Sequence, residues 1–317
     1  MPRTLYLIDT YAQIFRSYFA IRNGMRSPVT GEPTQAVFGM TAFLLKLLTK
    51  HRPDFVVAVI DVAGPTFRDA ISDNYKGTRR ETPPDLSAQI PRVFELIDAL
   101  GILRVGCSGL EADDLIAGIT RRVIGDPDCG DVVVRIASKD KDLLQLLGDR
   151  VTLFDVQTET TTDAAALLAT KGITPGQVID FLTLTGDTVD NIPGVPGIGP
   201  KTAASLLQSF GNLDMIYRNL ERLPARQQES LAAAREQTHK SRDMVTLRGD
   251  EDLSFSLADA RLRGIDVPAV HELFERLNFH RFRIEIDRLI GWSPEDGIPS
   301  EGLFEGAQAA AAILARR

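Results

Sequence analysis

Four short apolar runs, each closing on or near an acid, constrain this chain more than any other feature. Leu5–Ile8 leads into Asp9, Phe55–Ile60 into Asp61, Val132–Ala137 into Ser138-Lys139-Asp140, and Val151–Phe154 into Asp155. Runs this short, apolar throughout and rich in β-branched residues, read as strands of a parallel sheet covered on both faces. Helical patterns lie between them at Val37–Lys50, Leu86–Leu100, Glu111–Val123 and Asp140–Leu147. Alternating strand and helix predict a doubly wound α/β fold, a mostly parallel central sheet flanked by helices. Ligands of such sheets bind beyond the carboxyl ends of the strands. Asp9, Asp61 and Asp140, far apart in sequence, are therefore expected to meet there. Asp155 ends a run too but matches no motif, and reads as a surface acid or cap.

More acids sit on short motifs: Glu111, Asp113 and Asp114 at a helix start, the pair Asp140/Asp142, and the pair Asp187/Asp190. A helix N-terminus favours negative charge, and residues three apart such as Glu111 and Asp114 share a face. Converging so many carboxylates costs several kcal/mol unless protons or cations relieve the repulsion. Hard divalent cations take carboxylate oxygens as ligands, and paired cations serve phosphodiester hydrolysis. The net charge of −7 and the sequence pI of about 5.3 look wrong for a nucleic-acid binder. Nine acids gathered at a cation site account for that excess, so local charge decides.

The 317 residues suffice for a large domain with a smaller module. Cys107 and Cys129 lack metal-type spacing and read as thiols of a reducing compartment. The start is no secretory signal, and no stretch is long enough to span a bilayer. A cytoplasmic protein is expected.

The character changes after Gly172. Pro175–Thr185 reads as a helix broken by Gly186-Asp187, and Asn191 to Pro200 is too rich in Gly and Pro for periodic structure. A helix follows over Lys201–Phe210, with Pro200 at its first position and Gly211 past its end. From Leu213 to about Leu289 the chain reads as mostly helical; Gly291–Gly306 reads as a linker, and Ala307–Arg317 as an Ala-rich helix or frayed tail. The expected division is an α/β core over 1–172, a helical region over 173–290 with a hairpin loop at 191–211, and a linker and tail over 291–317. Backbone amides freed by tight glycine turns at a helix start suit a phosphate. The run Gly194-Val195-Pro196-Gly197-Ile198-Gly199 before Pro200-Lys201 resembles the helix–hairpin–helix element, which grips the sugar-phosphate backbone without reading bases. The segment Phe67-Arg68 through Arg80 is basic and carries Tyr75, Lys76 and Arg79. Cations there can offset charge on a phosphate, and Tyr75 can stack on a base.

Together these segments resemble the 5′ nuclease family, which includes flap endonucleases and the 5′→3′ exonuclease domain of bacterial DNA polymerase I. The resemblance runs from Leu5 to about Leu289. It is carried by Leu7-Ile8-Asp9, Gly31-Glu32-Pro33-Thr34, Val59-Ile60-Asp61, Thr66-Phe67-Arg68-Asp69 and Tyr75-Lys76. Gly109-Leu110-Glu111-Ala112-Asp113-Asp114, Asp140-Lys141-Asp142 and the long match Gly186-Asp187 to Gly199 complete it. It implies a PIN-like nuclease core with a helical helix–three-turn–helix region. It implies Asp9, Asp61, Glu111, Asp113 and Asp114 at a first metal site, and Asp140, Asp142, Asp187 and Asp190 at a second. Two Mg²⁺ (or Mn²⁺) ions are expected, with in many members a K⁺ ion at the hairpin loop. Lys76 and Arg79 match basic residues near the scissile phosphate, on an arch segment of about 68–95. Arg68, Tyr75, Arg80, Gly194, Val195, Gly197, Ile198, Gly199, Lys201 and Thr202 are the expected DNA contacts.

Two departures stand out: Lys139 where bacterial relatives carry a small residue, expected to contact DNA or partly neutralise the site, and Thr10-Tyr11 where relatives have Gly-Ser. With no polymerase segment after Arg317, the resemblance implies a stand-alone nuclease. The implied activity is a metal-dependent, structure-selective 5′→3′ exonuclease and flap endonuclease acting on 5′ flaps and RNA primers in replication and repair. It would be a monomer near the nucleoid, with a DNA polymerase as a possible partner. The rivals are a related metal-dependent ribonuclease, against which the Arg68–Pro84 insertion and the hairpin loop speak, and a non-catalytic binder of branched DNA. The binder predicts missing second-site acids, whereas Asp140, Asp142, Asp187 and Asp190 are all present.

Overall fold

The computed structural model describes residues 2–290 apart from 22–23, 80 and 250–254. The expected linker and tail over 291–317 therefore lie outside the described residues. Strand β1 (Arg3–Asp9) sits inside a six-stranded sheet. On one side lie β2 (Phe55–Val59) and β3 (Leu103–Val105), and on the other β4 (Val132–Ala137), β5 (Val151–Asp155) and β6 (Thr160–Thr162). All neighbours pair in parallel except β5 with β6. Leu5 stands opposite Phe55 and Asp9 opposite Val59, while Ile8 stands opposite Ala137 on the other flank. The chain moves outward from β1 through β2 and β3, then returns to the far side of β1 as β4. β1 and β4 thus flank the point where the winding reverses, which is where such sheets open a crevice.

Helices α1 (Thr10–Ala20), α2 (Gln35–Lys46), α3 (Phe67–Ile71), α4 (Pro84–Ser87), α5 (Ile90–Ala99) and α6 (Ala112–Gly125) connect the first strands. After the sheet come α7 (Ala164–Lys171), α8 (Val178–Thr185), α9 (Pro200–Phe210), α10 (Leu213–Arg218), α11 (Ala225–Ala233), α12 (Arg235–Val245), α13 (Val267–Leu277) and α14 (His280–Ile290). Successive strand residues point to opposite faces, so Leu5 and Leu7 enter one core while Tyr6 and Ile8 enter the other. The first core is closed by α6, α8, α9 and α12 through residues such as Leu115, Leu184, Leu207 and Met244. The second is closed by α1, α2, α5, α13 and α14 through Ile14, Met40, Leu96, Phe274 and Phe282. Each fully buried side chain of this size contributes about 1.5–3 kcal/mol.

The four apolar runs all form strands, but the helices between them differ from expectation. The pattern Val37–Lys50 is α2 followed by a wider turn over Leu47–His51, closed by Arg52 in the left-handed region. Leu86–Leu100 divides into α4 and α5, and Asp140–Leu147 yields only a 3₁₀ turn at Asp142–Leu146. Pro175–Thr185 begins with a 3₁₀ turn before α8, whereas α9 starts at Pro200 and stops at Gly211 as read. Sequence periodicity passed over β3 and β6, each three residues long and lacking an apolar run.

Candidate active site

The acids gather because strand ends and helix starts coincide. Asp9 ends β1 and caps α1, its Oδ1 accepting from the Ala12 amide at 3.2 Å. Its other oxygen accepts from Ser138 Oγ at 2.8 Å, across the reversal point from β4. Ser138 also accepts from the Asp140 amide at 3.1 Å, so one buried hydroxyl places two acids. Asp61, two residues past β2, accepts from the Ala112 amide at 2.8 Å, which ties β2 to the start of α6. Glu111 caps α6, and Asp114 closes a reciprocal capping box on it. Asp187 and Asp190 ride on the hairpin after α8, locked by paired backbone bonds between Asp187 and Ile192 at 2.7 Å.

Asp9, Asp61, Glu111, Asp113, Asp140 and Asp190 line one cleft of about 530 Å³ together with Lys76 and Arg79. One carboxylate oxygen each from Glu111, Asp113 and Asp114 falls within 4.8 Å of the others, and likewise for Asp142, Asp187 and Asp190. Burial pushes Asp9 up to about 6, helped by the nearby charges of Asp140 and Asp61. Burial, then the carboxylates of Asp140 and Asp187, pushes Asp142 up to about 7. Asp113 is raised by burial with Asp114 and Glu111 adding to it, partly offset by Arg68. Asp142 Oδ1 is buried without a hydrogen-bond partner. An orphaned carboxylate oxygen among raised acids is a donor set that hard divalent cations fit.

The chain's own cations hold this cleft. Lys76 Nζ donates to Glu111 Oε1 at 2.6 Å, Arg79 Nε to Asp190 Oδ1 at 3.0 Å, and Lys141 Nζ stands 3.1 Å from Asp187. The Lys76 amide bonds the Asp190 carbonyl, and Asn191 Nδ2 bonds the Asn74 carbonyl, stitching residues 74–79 to the hairpin. The segment crossing the cleft is thus shorter than 68–95. Residues 84–99 pack as α4 and α5 against the second core, with Leu86, Val93 and Leu96 fully buried.

Four residues, Arg68, Tyr75, Asp114 and Asp155, are buried where the sequence suggested otherwise. Arg68 is 2% exposed and cannot reach DNA. Its guanidinium bonds Asp114 at 2.6 and 3.0 Å, Glu111 at 3.2 Å and the Met244 carbonyl at 2.8 Å. Burial opposes the Arg68 charge, but Asp113 and Asp114 outweigh it and raise its pKa. Tyr75 is 7% exposed and donates to Glu111 Oε2 at 3.0 Å, so its ring is not open to a base. Asp114, expected as a metal ligand, is fully buried with both oxygens already bonded twice. Asp155, read as a surface acid or cap, is the cap and not the surface acid: its Oδ1 accepts from the Gln157 and Thr158 amides at 3.0 and 3.3 Å, and it is buried against Arg16 at 2.9 Å and Lys139 at 2.8 Å. Burial alone would raise it, but those partners hold it well below the usual range. Lys139 is thereby turned toward Asp155. Arg80 lies outside the described residues.

The hairpin keeps its backbone outward by burying its apolar side chains. Val195 and Ile198 are 3% and 4% exposed and pack in the first core, while Gly197, Gly199 and Lys201 are exposed and Thr202 half-buried. Gly186 and Gly194 cross so closely that a Cβ on Gly194 would lie 2.4 Å from the Thr185 carbonyl carbon. Sequence reading missed Ser138 as a placing residue. Its signal was a Ser two positions before an acid at a strand end, the spacing of a hydroxyl turn.

Two family profiles match consecutive parts of the chain: the 5′-3′ exonuclease N-terminal resolvase-like domain over residues 4–172, and the 5′-3′ exonuclease C-terminal SAM fold over residues 173–268. The chain belongs to the 5′-3′ exonuclease family. It is 32% identical to a 5′-3′ exonuclease of Aquifex aeolicus (strain VF5), across 90% of this chain and 96% of that protein. It is 39% identical to DNA polymerase I of Treponema pallidum (strain Nichols) across 88% of this chain, which spans 28% of the polymerase. In fold it resembles the zinc-bound T5 5′-exonuclease, with a TM-score of 0.64 at 23% identity, covering 91% of this chain and 100% of that one. The catalytic core of Rad2 in complex with DNA substrate matches with a TM-score of 0.59 at 17% identity, covering 91% and 93%. The chain is thus a 5′-3′ exonuclease-family hydrolase with acidic clusters able to bind metal. Among the described residues, no helix is long and apolar enough to cross a membrane.

Proposed function

We propose that this exonuclease hydrolyses phosphodiester bonds at 5′ flaps and junctions of DNA, RNA primers included, leaving a 5′-phosphate fragment and a 3′-hydroxyl. The observation carrying this reading is the single cleft that gathers acids from β1, β2, α6, β4 and the hairpin under two basic side chains. Asp9, Asp61, Glu111 and Asp113 would hold one Mg²⁺ or Mn²⁺, and Asp140, Asp142, Asp187 and Asp190 a second. Bound cations supply a lowered pKa for water and charge stabilisation of the leaving oxygen.

The chain's residues supply position and charge. Lys76 and Arg79 enter the cleft from the crossing segment, where an incoming phosphate meets them and the developing charge is offset. Ser138 and the Ala12 and Ala112 amides fix Asp9 and Asp61 so that no reorganisation is needed on binding. The exposed turn at Gly197 and Gly199, with Lys201 and Thr202 at the start of α9, would grip duplex phosphates through amides and one charge. The same turn is the proposed K⁺ site. The working form would be a cytoplasmic, nucleoid-associated monomer that follows a DNA polymerase.

The deciding measurement is cleavage of a 5′-labelled flap duplex with and without chelator, reading product length beside a single-stranded RNA control. Metal-dependent release of the flap is expected. A protein that holds the flap but never cuts it, or cuts only the RNA, would sink the reading.

A further inference from the structure

Asp114 is the most buried acid of the site and the one with no valence to spare. A carboxylate offers about four lone-pair positions, and all four are taken. Oδ1 accepts from Arg68 Nη2 at 3.0 Å and from the Arg248 amide at 2.9 Å; Oδ2 accepts from Arg68 Nη1 at 2.6 Å and from the Glu111 amide at 3.3 Å. Asp113, its neighbour, accepts one hydrogen bond, at Oδ1 from the Asp114 amide, and its Oδ2 stands 3.8 Å from Arg68 Nη2; the orphaned Asp142 oxygen belongs to the other acid group. Nearness within 4.8 Å lets Asp114 be counted with Glu111 and Asp113 as a possible ligand, but its oxygens are already spent.

We infer that Asp114 and Arg68 form a buried positioning pair that aims Glu111 and Asp113 at the first cation and ties three segments to that aim. Arg68 Nη1 is shared between Asp114 and Glu111 Oε2, so the pair fixes the Glu111 carboxylate as well as the Asp114 one. Arg68 Nε reaches the Met244 carbonyl at 2.8 Å, and the Arg248 amide returns to Asp114. The Arg248 guanidinium closes the circuit, standing 3.5 Å over the Phe67 ring. The helix bearing Arg68, the helix bearing the acids, and the end of α12 with the residues that follow it therefore share one ion pair. Outer-shell partners of this kind orient ligands, and losing them costs about 10–100-fold in metal affinity or activity. The inference rests on the metal-nuclease reading above.

The test is a Mn²⁺ titration of the full chain, followed by calorimetry and by the electron paramagnetic resonance of free Mn²⁺, with flap cleavage measured alongside. Arg68→Met and Asp114→Asn should each weaken Mn²⁺ binding by about 10–100-fold while the number of ions bound stays as in the unchanged protein. The Mn²⁺ concentration for half-maximal cleavage should rise in step, with kcat largely regained at saturating Mn²⁺, and Arg68→Lys should recover part of the affinity. The inference is overturned if Asp114→Asn removes a bound ion while Arg68→Met leaves affinity unchanged, since Asp114 would then be a ligand itself. Should the single variants unfold, the doubly neutral Arg68→Met/Asp114→Leu chain, which leaves no buried charge unpaired, decides in their place. Unfolding of that chain too would mean that the pair serves the fold alone, and would also overturn the inference. An unchanged protein that binds Mn²⁺ yet leaves every flap intact would sink the nuclease reading and leave this comparison standing.

Discussion

At the scale of single residues, the site works by dividing labour among side chains of the same type. Asp190, which lines the cleft, and Asp187, which lines the neighbouring cavity, each keep one oxygen unbonded because Lys141, the Val189 amide and Arg79 all bond the other. Asp187→Asn with Asp190→Asn should bring flap cleavage below detection while duplex binding, read by gel shift, stays within about twofold of the unchanged protein; retained cleavage would refute the mechanism. Among the described residues Lys76 is the sole ammonium bonded to Glu111, so Lys76→Ala should lower kcat by about 10²–10³-fold with little change in binding. Single-turnover kinetics would check this, and a fall in affinity alone would count against a role in charge stabilisation. Gly194 has no room for even one more carbon, with the Thr185 carbonyl oxygen 2.5 Å from a built Cβ. Gly194→Ala should cost about 1–3 kcal/mol in urea unfolding through overpacking, and an unchanged midpoint would show that the hairpin yields.

At the scale of elements, the position of the site follows from where strands stop and helices begin. Asp9 serves as strand end, α1 cap and pocket wall at once, and Glu111 is both the cap of α6 and pocket wall. A helix N-terminus stabilises negative charge by about 0.3–1 kcal/mol in ordinary surroundings, which offsets part of the crowding. α9 presents its N-terminus outward behind Gly199 and Pro200, with Lys201 exposed beside it. Lys201→Ala should weaken duplex binding about equally for all sequences and reduce the salt slope by about 1. Fluorescence anisotropy across a salt series would read it, and an unaltered slope would move the phosphate track elsewhere.

For the whole molecule, the acid cluster sets a pH dependence opposite to that of most carboxylates. Asp9 at about 6 and Asp142 at about 7 lie above the unfolded value, so the fold binds extra protons between roughly pH 4 and pH 7. Without cations, these groups make stability fall as pH rises through that window. Glu159, held at about 2 by Lys46 and Lys50, adds stability that is lost only in stronger acid. Divalent cations compete with those protons, so the Tm rise caused by millimolar Mg²⁺ should be clearly larger at pH 8 than at pH 5. Equal shifts at both pH values would show that the cluster is not where cations bind.

The sequence by itself determined the sheet, the edge where the acids fall and the hairpin before α9, because apolar runs and Gly-Pro chemistry act over a few neighbouring residues. It could not separate Asp114 from Asp113, or Arg68 and Tyr75 from Lys76 and Arg79, since residue type is the same whether a group faces solvent or a partner. Nor did local patterning reveal β3 and β6, whose place depends on the strands already beside them. Tertiary structure decided which oxygens remain free, because that depends on amides and guanidinium groups brought in from up to 134 residues away.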